Sequence, residues 1–192
     1  LKAEFLAQNI FVKEDSMMNG VESFDEDTGH AFKPYTIKKM GNARVAIIGQ
    51  AFPYTTIANP QRFIPDWTFG IKEDSMQEIV NKIKLDEKPD AIIVLSHNGF
   101  DTDKKMAEVV SGIDFILGGH THDGVPEAVP VKNANGTTYV CNAGSNGKFL
   151  NVLDLDIQKG KIKDFKFTLL PIFSDLIPEN KEMKKYIEDV RL

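Results

Sequence analysis

The sequence predicts a mixed α/β domain, and its composition and two hydrophobic patterns are the observations behind that prediction. The 192 residues are 42% hydrophobic and 27% charged, which is the composition of a globular protein. Residues 74–117 alternate between helical periodicity and short continuous apolar runs, as buried parallel strands joined by helices do. Residues 129–170 instead alternate polar and apolar positions around turn sequences, which is typical of antiparallel hairpins.

The first third of the chain is predicted to hold a strand, a polar loop and a hairpin. Residues 4–12 are expected to form the strand, and residues 13–33, rich in Gly, Asp and Ser, the loop. Two β-like runs, residues 35–39 and 43–50, flank a glycine-containing turn. Residues 51–71 form a long irregular segment with three prolines, and segments of this kind are often functional.

The middle of the chain is predicted to hold two helix–strand units. A helix from about residue 76 to residue 85 should be capped by Asp74-Ser75, and the strand 91–95 follows it. A second helix is expected to begin at Asp101, and residues 113–117 form the next apolar run.

The last third is predicted to hold two hairpins and a final helix. Asn135-Gly136 and Lys159-Gly160 are the turn sequences, and residues 179–192 have a helical pattern. The predicted hairpin strands are residues 129–132 and 138–141, then 149–157 and 161–170.

Charge and hydropathy exclude several functional classes. The net charge is −5, whereas a nucleic-acid-binding surface needs a basic stripe, so no nucleic-acid partner is expected. Apolar runs are strand-sized and fall far short of the ~18 residues of a membrane span, so no membrane insertion is expected. Cys141 is the single cysteine of the sequence; it cannot form an intrachain disulfide and is expected to be a small core residue.

Three of the four histidines follow two neighbouring predicted strands. His97 comes after the first strand, and His120 and His122 lie in a glycine-flanked loop after the next. Ligands bind at the carboxyl ends of strands in open α/β sheets, and neutral imidazole is a common ligand of Zn, Mn and Fe. The sequence therefore predicts part of a metal site. The fourth histidine, His30, lies in a polar loop and is expected to be a packing or surface residue.

Two motifs carry a family resemblance. Ser96-His97-Asn98-Gly99 and Gly118-Gly119-His120-Thr121-His122 resemble late motifs of the calcineurin-like metallophosphoesterases, in the 5′-nucleotidase branch. The opening Phe5-Leu-Ala-Gln-Asn-Ile10 resembles the strand after that family's Gly-Asn-His motif. The resemblance implies part of an αββα sandwich with mixed sheets. Residues 1–175 would be the C-terminal part of the catalytic domain, and residues 176–192 the start of an interdomain linker helix.

A narrower resemblance concerns the irregular segment and the strand before it. Val45–Tyr54, Ile57–Pro60 and Pro65–Ile71 are similar to the SoxB-type thiosulfohydrolases of sulfur oxidation. This resemblance implies release of sulfate from a cysteine S-sulfonate on a sulfur-carrier protein like SoxYZ, and a periplasmic location.

The family resemblance also implies a cofactor, namely two divalent metal ions, with manganese expected and zinc as the alternative. His97 and His120 would bind one ion and His122 the other. The family's bridging aspartate, Asp-x-His pair and catalytic histidine would lie upstream, because residues 1–192 contain no Asp-x-His sequence. The catalytic residue is therefore left unassigned. The chain alone is expected to be inactive and to bind metal weakly.

Three further residues are candidates for the site. Asp101 and Asp123 could orient the imidazoles as outer carboxylates, and helix or turn capping is the competing interpretation. Trp67 could lie in a substrate-entrance loop, and the competing interpretation is a packed Ω-loop.

Two other functions remain open from the sequence. The first is a 5′-nucleotidase or another phosphoesterase that uses the same metals. The second is a non-catalytic metal-binding or carrier-docking module.

Overall fold

The structure, a computed structural model, describes residues 3–191. In chain order, the strands are β1 (Phe11–Val12), β2 (Tyr35–Met40), β3 (Ala43–Gln50), β4 (Trp67–Thr68), β5 (Ala91–Ser96), β6 (Phe115–Gly118), β7 (Val129–Asn133), β8 (Gly136–Asn142), β9 (Phe149–Gln158) and β10 (Lys161–Pro171). The helices are α1 (Glu14–Met18), α2 (Thr55–Ala58), α3 (Glu73–Asp86), α4 (Phe100–Val109) and α5 (Lys181–Val190), and 3₁₀ turns cover Gln61–Phe63 and Ser174–Leu176.

A six-stranded mixed sheet forms the centre of the fold, in the order β2-β3-β5-β6-β8-β7. Strands β3, β5, β6 and β8 run parallel, and β2 and β7 pair antiparallel at the two edges. The carboxyl ends of the four parallel strands therefore lie side by side along the same end of the sheet. The prediction of a mixed α/β fold is confirmed.

Helices α3 and α4 cover one face of the sheet because their apolar positions recur at helical spacing. In α3 the buried residues are Met76, Ile79, Val80 and Ile83. In α4, Met106 and Ala107 are buried in the same cluster as the strand residues Ile48 and Val94. This cluster is the main hydrophobic core.

The hairpin of β9 and β10 packs against the opposite face. A second buried cluster, which includes Ile93 and Phe115, packs against one face of β9. That face carries the residues that the period-two pattern predicts to point inward: Leu153, Leu155 and Ile157. The predicted orientation of this strand is confirmed.

The predicted strand over residues 4–12 is wrong for most of its length. Only Phe11–Val12 pair as a strand, with Trp67–Thr68. Before β1, the backbone makes single hydrogen bonds to separate elements, such as Gln8 N to Gly49 O at 2.9 Å. The side chains of Gln8 and Asn9 are completely buried, and their hydrogen bonds hold the segment in an irregular path.

Two predicted irregular segments contain short regular elements. The loop 13–33 includes α1, and the segment 51–71 includes α2, a 3₁₀ turn and β4. Elements of two to five residues are too short to show a hydrophobic period, which is why the sequence pattern does not reveal them.

The predicted helix starts are also corrected. Asp74-Ser75 lie inside the first turn of α3, and Lys72, in the left-handed conformation with φ 58°, is the N-cap residue. Helix α4 begins at Phe100 after Gly99, whose φ of 95° suits glycine. Neither helix has a side-chain cap, so the capping signals misplaced both starts.

The final predicted helix is present as α5, which Asn180 caps by accepting a hydrogen bond from Met183 N at 2.9 Å. The division at residues 175 and 176 stays a prediction. Among residues 3–191, no helix is long and apolar enough to cross a membrane.

Candidate metal centre

The ends of β5 and β6 bring His97 and His120 side by side. These strands are parallel neighbours, and each histidine follows its strand by one or two residues. The two ring centroids are 5.1 Å apart, at an interplanar angle of 72°. His97 N donates to Gln50 O at 2.9 Å, so the backbone of this loop is tied to the end of β3. Two imidazoles in this arrangement can bind a common ion.

The environment of His97 favours its neutral form. Burial lowers the pKa of His97 below its ordinary value of 6.5, and the nearby charges of His120 and His122 lower it further. Neutral imidazole is the form that binds metal, so the ring is ready for this role near neutral pH. The influence of His122 places the third predicted ligand within electrostatic range of the pair.

His120 and His122 both have positive φ angles, of 81° and 63°. Positive φ is uncommon for residues other than glycine, and backbone strain of this kind clusters at functional sites. The loop therefore holds the backbone of both histidines in a conformation that residues other than glycine rarely adopt.

Within residues 3–191, no three His, Cys, Asp or Glu side chains converge on a single point. The three predicted ligands therefore do not meet at one point, although the rings of His97 and His120 are adjacent. Two neutral imidazoles fit a divalent ion such as Mn²⁺ or Zn²⁺. Two imidazoles account for half of the four ligands of a tetrahedral Zn²⁺ ion and for a third of the six ligands of an octahedral Mn²⁺ ion.

Phe52 is a residue of this site that the sequence did not indicate. Its ring stacks on His120 with centroids 4.1 Å apart, and it meets His97 edge-on at 6.3 Å. Tyr54 in turn packs edge-on against Phe52 at 5.9 Å. The available signal was the position of Phe52 just after β3, in the irregular segment that the sequence marked as functional.

A buried polar group under the histidine loops also went unpredicted. Ser96 Oγ donates to Asp103 Oδ1 at 2.5 Å, and Asn98 N donates to Ser96 Oγ at 3.1 Å. Gln50 Nε2 donates to Asn98 Oδ1 at 3.0 Å. These hydrogen bonds connect β3, β5 and α4 directly beneath the site.

Asp101 lies in the first turn of α4, and Asp123 lies in the loop that follows β6. Asp101 pairs with Lys104 at 2.8 Å, and its side chain is 93% exposed. Asp123 accepts a hydrogen bond from Thr121 Oγ1, which itself accepts from Phe100 N at the start of α4. In the hydrogen bonds of the described residues, neither carboxylate contacts a histidine.

Trp67 lies in β4 opposite Val12 and packs edge-on against Phe32, with centroids 4.9 Å apart. These contacts support the packed-loop interpretation, whereas Phe52 is the aromatic residue of the same segment that contacts the histidines.

Two other residues behave as core residues, as predicted. His30 is buried against Phe11, with Nδ1 at 2.7 Å from Thr28 Oγ1. Cys141 is completely buried in β8, and burial raises the pKa of its thiol to about 12. Neither residue belongs to the candidate metal centre.

Comparison with known proteins gives three informative relatives, although no family model matches the chain. The trifunctional nucleotide phosphoesterase YfkN of Bacillus subtilis is 33% identical over 162 residues, which are 82% of this chain and 11% of YfkN. The sulfate thiohydrolase SoxB of Thermus thermophilus, solved in complex with glycerol, superposes with a TM-score of 0.81 at 30% identity, over 98% of this chain and 32% of SoxB. A 5′-nucleotidase precursor from Thermus thermophilus superposes with a TM-score of 0.77 at 27% identity, over 97% of this chain and 37% of the nucleotidase precursor.

These relatives all extend well beyond the matched region, since the chain spans between about a tenth and two fifths of their lengths. They share the mixed α/β architecture described above. Nucleotidases and the thiohydrolase match with similar scores, so the comparisons favour the broader group over its SoxB subgroup.

Proposed function

From its relationship to the 5′-nucleotidase branch of the calcineurin-like phosphoesterases, we propose that this chain supplies the histidine half of a metal-dependent phosphoester hydrolase. His97 and His120 would hold one divalent ion, and His122 would bind a second. The observation that carries the proposal is the pair of imidazole rings, 5.1 Å apart at the ends of adjacent parallel strands.

Bound divalent ions would supply Lewis-acid activation of the ester and of the attacking water. The residues of this chain act before any chemistry begins. Burial keeps the pKa of His97 low, so near neutral pH its unprotonated ring nitrogen can bind an ion without the ring first losing a proton. Phe52 covers one face of His120, which fixes the plane of that ring and keeps water from that side.

Manganese is the ion we propose, with zinc as the alternative. Imidazole binds both ions, so the donor set supports either. The proposed location is the periplasm, which is an inference from the resemblance of the motifs.

A second candidate is a thiosulfohydrolase acting on a cysteine S-sulfonate of a sulfur-carrier protein. Its support is the SoxB superposition, with a TM-score of 0.81, together with the similarity of residues 65–71 to that subgroup. Both candidates place the same histidines in the site, and they differ in the ester that is cleaved.

The test uses the natural full-length protein that carries these residues, loaded with Mn²⁺. A nucleoside monophosphate and a carrier protein charged with S-sulfocysteine are offered in parallel, to the wild type and to the His97→Ala and His120→Ala variants. We expect hydrolysis of the nucleotide, and its loss in both variants. His30→Gln, a change outside the site, should keep activity.

Each other outcome selects an alternative. Turnover of the S-sulfonate alone would favour the thiosulfohydrolase. Histidine-dependent metal binding without turnover of either substrate would favour a non-catalytic metal-binding or carrier-docking module.

A further inference from the structure

We propose that Asp103 is a positioning residue that sets the two histidine loops relative to each other from beneath the site. Its carboxylate extends from α4 and contacts Ser96, the residue before His97, on one side and Gly118, two residues before His120, on the other. This inference rests on the proposed function, because it treats those histidines as metal ligands.

The first contact fixes the loop of His97. Ser96 Oγ donates to Asp103 Oδ1 at 2.5 Å and accepts from Asn98 N at 3.1 Å. The hydroxyl therefore holds the residues on both sides of His97, and the carboxylate holds the hydroxyl. Without the carboxylate, Ser96 could rotate and release the peptide that follows His97.

The second contact reaches the loop of His120. Asp103 Oδ2 lies so close to Gly118 that a β-carbon at this glycine would be 2.3 Å from the oxygen. Gly118 is two residues before His120, and the next residue, Gly119, packs against the His97 ring in the same way. The carboxylate thus lies against the last residue of β6 while it bonds to the last residue of β5, and each of these residues leads into a histidine loop.

The energetic setting of Asp103 indicates a role other than ordinary stability. The side chain is completely buried, and Oδ2 has no hydrogen-bond partner among the described residues. Burial raises the pKa of Asp103 to about 6, although the side chains of Ser96 and Asn98 lower it. A buried polar atom without a partner is unfavourable, so an apolar residue here would suit the core better. A positioning role accounts for a carboxylate in this place.

The test measures Mn²⁺ affinity by calorimetric titration of the full-length protein. Removal of an outer residue that orients ligands typically weakens metal affinity about 10- to 100-fold, so we expect a loss in that range for Asp103→Ala and for Ser96→Ala. Asp103→Asn keeps an oxygen acceptor for Ser96 and should stay within about 3-fold of the wild type. The double Ser96→Ala/Asp103→Ala variant should lose no more than either single variant, because both disrupt one interaction.

Met106→Ala is the matched control. Met106 is buried in the same helix within the main core, so this change lowers stability without touching the histidine loops. We expect it to leave Mn²⁺ affinity unchanged. An equal loss in Met106→Ala, or additive losses in the Ser96 and Asp103 variants, would overturn the positioning role. If Asp103→Ala does not fold, Ser96→Ala and Asp103→Asn carry the same test.

A metal-free measurement separates this inference from the proposed function. The ring proton NMR signals of His97 and His120 should both shift in Asp103→Ala. Neither signal should shift in Met106→Ala. If His97→Ala leaves Mn²⁺ affinity unchanged, the proposed metal site is wrong, while the ring signals still report on positioning. Unmoved ring signals in Asp103→Ala would overturn the inference even where the metal site is real.

Discussion

At the scale of single residues, the ionisation of Asp103 should make stability depend on pH. Burial raises its pKa from 3.8 to about 6, so the folded protein holds this proton more tightly than the unfolded chain does. Asp103 therefore contributes stability below pH 3.8 that is lost as the pH rises to about 6. As the pH rises across that window, the free energy of unfolding of Asp103→Asn should increase by roughly 2–3 kcal/mol relative to that of the wild type, because the amide has no proton to lose.

Urea unfolding at several pH values measures this difference. Asp101→Asn is the control for removal of an acidic side chain from the same helix, since the Asp101 side chain is 93% exposed. Parallel curves for Asp103→Asn and the wild type would contradict the prediction.

The contact between Asp103 and Gly118 predicts a compensating pair. Gly118→Ala should destabilise the fold by about 1–3 kcal/mol, because its methyl group would overlap Asp103 Oδ2. In the Asp103→Ala background the same change should cost less, since the oxygen that lies 2.3 Å from the methyl position is gone. A double-mutant cycle of unfolding free energies measures the coupling.

Gly70→Ala is the control for this cycle, because the nearest atoms to its added methyl group would be those of the Lys72 side chain, at ordinary contact distance. Strictly additive effects of the Gly118 and Asp103 changes would exclude the contact.

The residues of the site differ in how far the sequence could predict them. His97 and His120 could be placed together from sequence because each follows an apolar run, and neighbouring parallel strands end at one edge. Phe52 and Asp103 could not, because their roles depend on contacts across 68 and 15 positions of the chain, to His120 and Gly118. No local pattern records such contacts.

At the scale of elements, α3 shows what a hydrophobic period can predict. Its buried residues are the ones that the period selects, and Leu85, outside the period, is 73% exposed. Ile83→Ala should therefore destabilise the protein by about 2–5 kcal/mol through lost burial and a cavity. Leu85→Ala, the matched control in the last turn of the same helix, should change stability by less than about 0.5 kcal/mol. Thermal or urea unfolding measures both, and equal effects would contradict the assignment of the buried face.

The segment before β1 shows where pattern reasoning fails at this scale. Its apolar residues resemble a strand, but Asn9 donates to Ala51 O and to Gly70 O at 2.8 Å each and accepts from Ala51 N. A buried amide with three long-range partners replaces the ladder of a strand. Sequence periodicity describes side-chain burial, and it cannot show that a polar side chain will be satisfied by distant backbone groups.

At the scale of the whole molecule, three of the four parallel strands end in a buried polar residue: Gln50, Ser96 and Asn142. Gln50 and Ser96 are opposite each other in the register of β3 and β5, as Gly118 and Asn142 are in β6 and β8. The apolar centres of the strands build the core, and Ser96, the last residue of β5, makes the hydrogen bonds that lie beneath the histidines. This division explains why mixed α/β architecture could be predicted from apolar runs, whereas the chemistry of the edge required the assembled sheet.

The same arrangement sets the metal affinity expected of residues 1–192 by themselves. The candidate ligands are three imidazoles, and within the described part of the chain no three ligand side chains meet at one point. Two imidazoles leave about two thirds of the octahedral sphere of Mn²⁺ to water, so binding should be weak and should decrease further when either His97 or His120 becomes alanine. Titration of the purified 192-residue chain with Mn²⁺ measures this, with His30→Gln as the control. We expect no hydrolysis of a nucleoside monophosphate by this chain, because one imidazole pair cannot hold two ions as a clamp on the ester; rapid turnover would show that these residues alone form a complete centre.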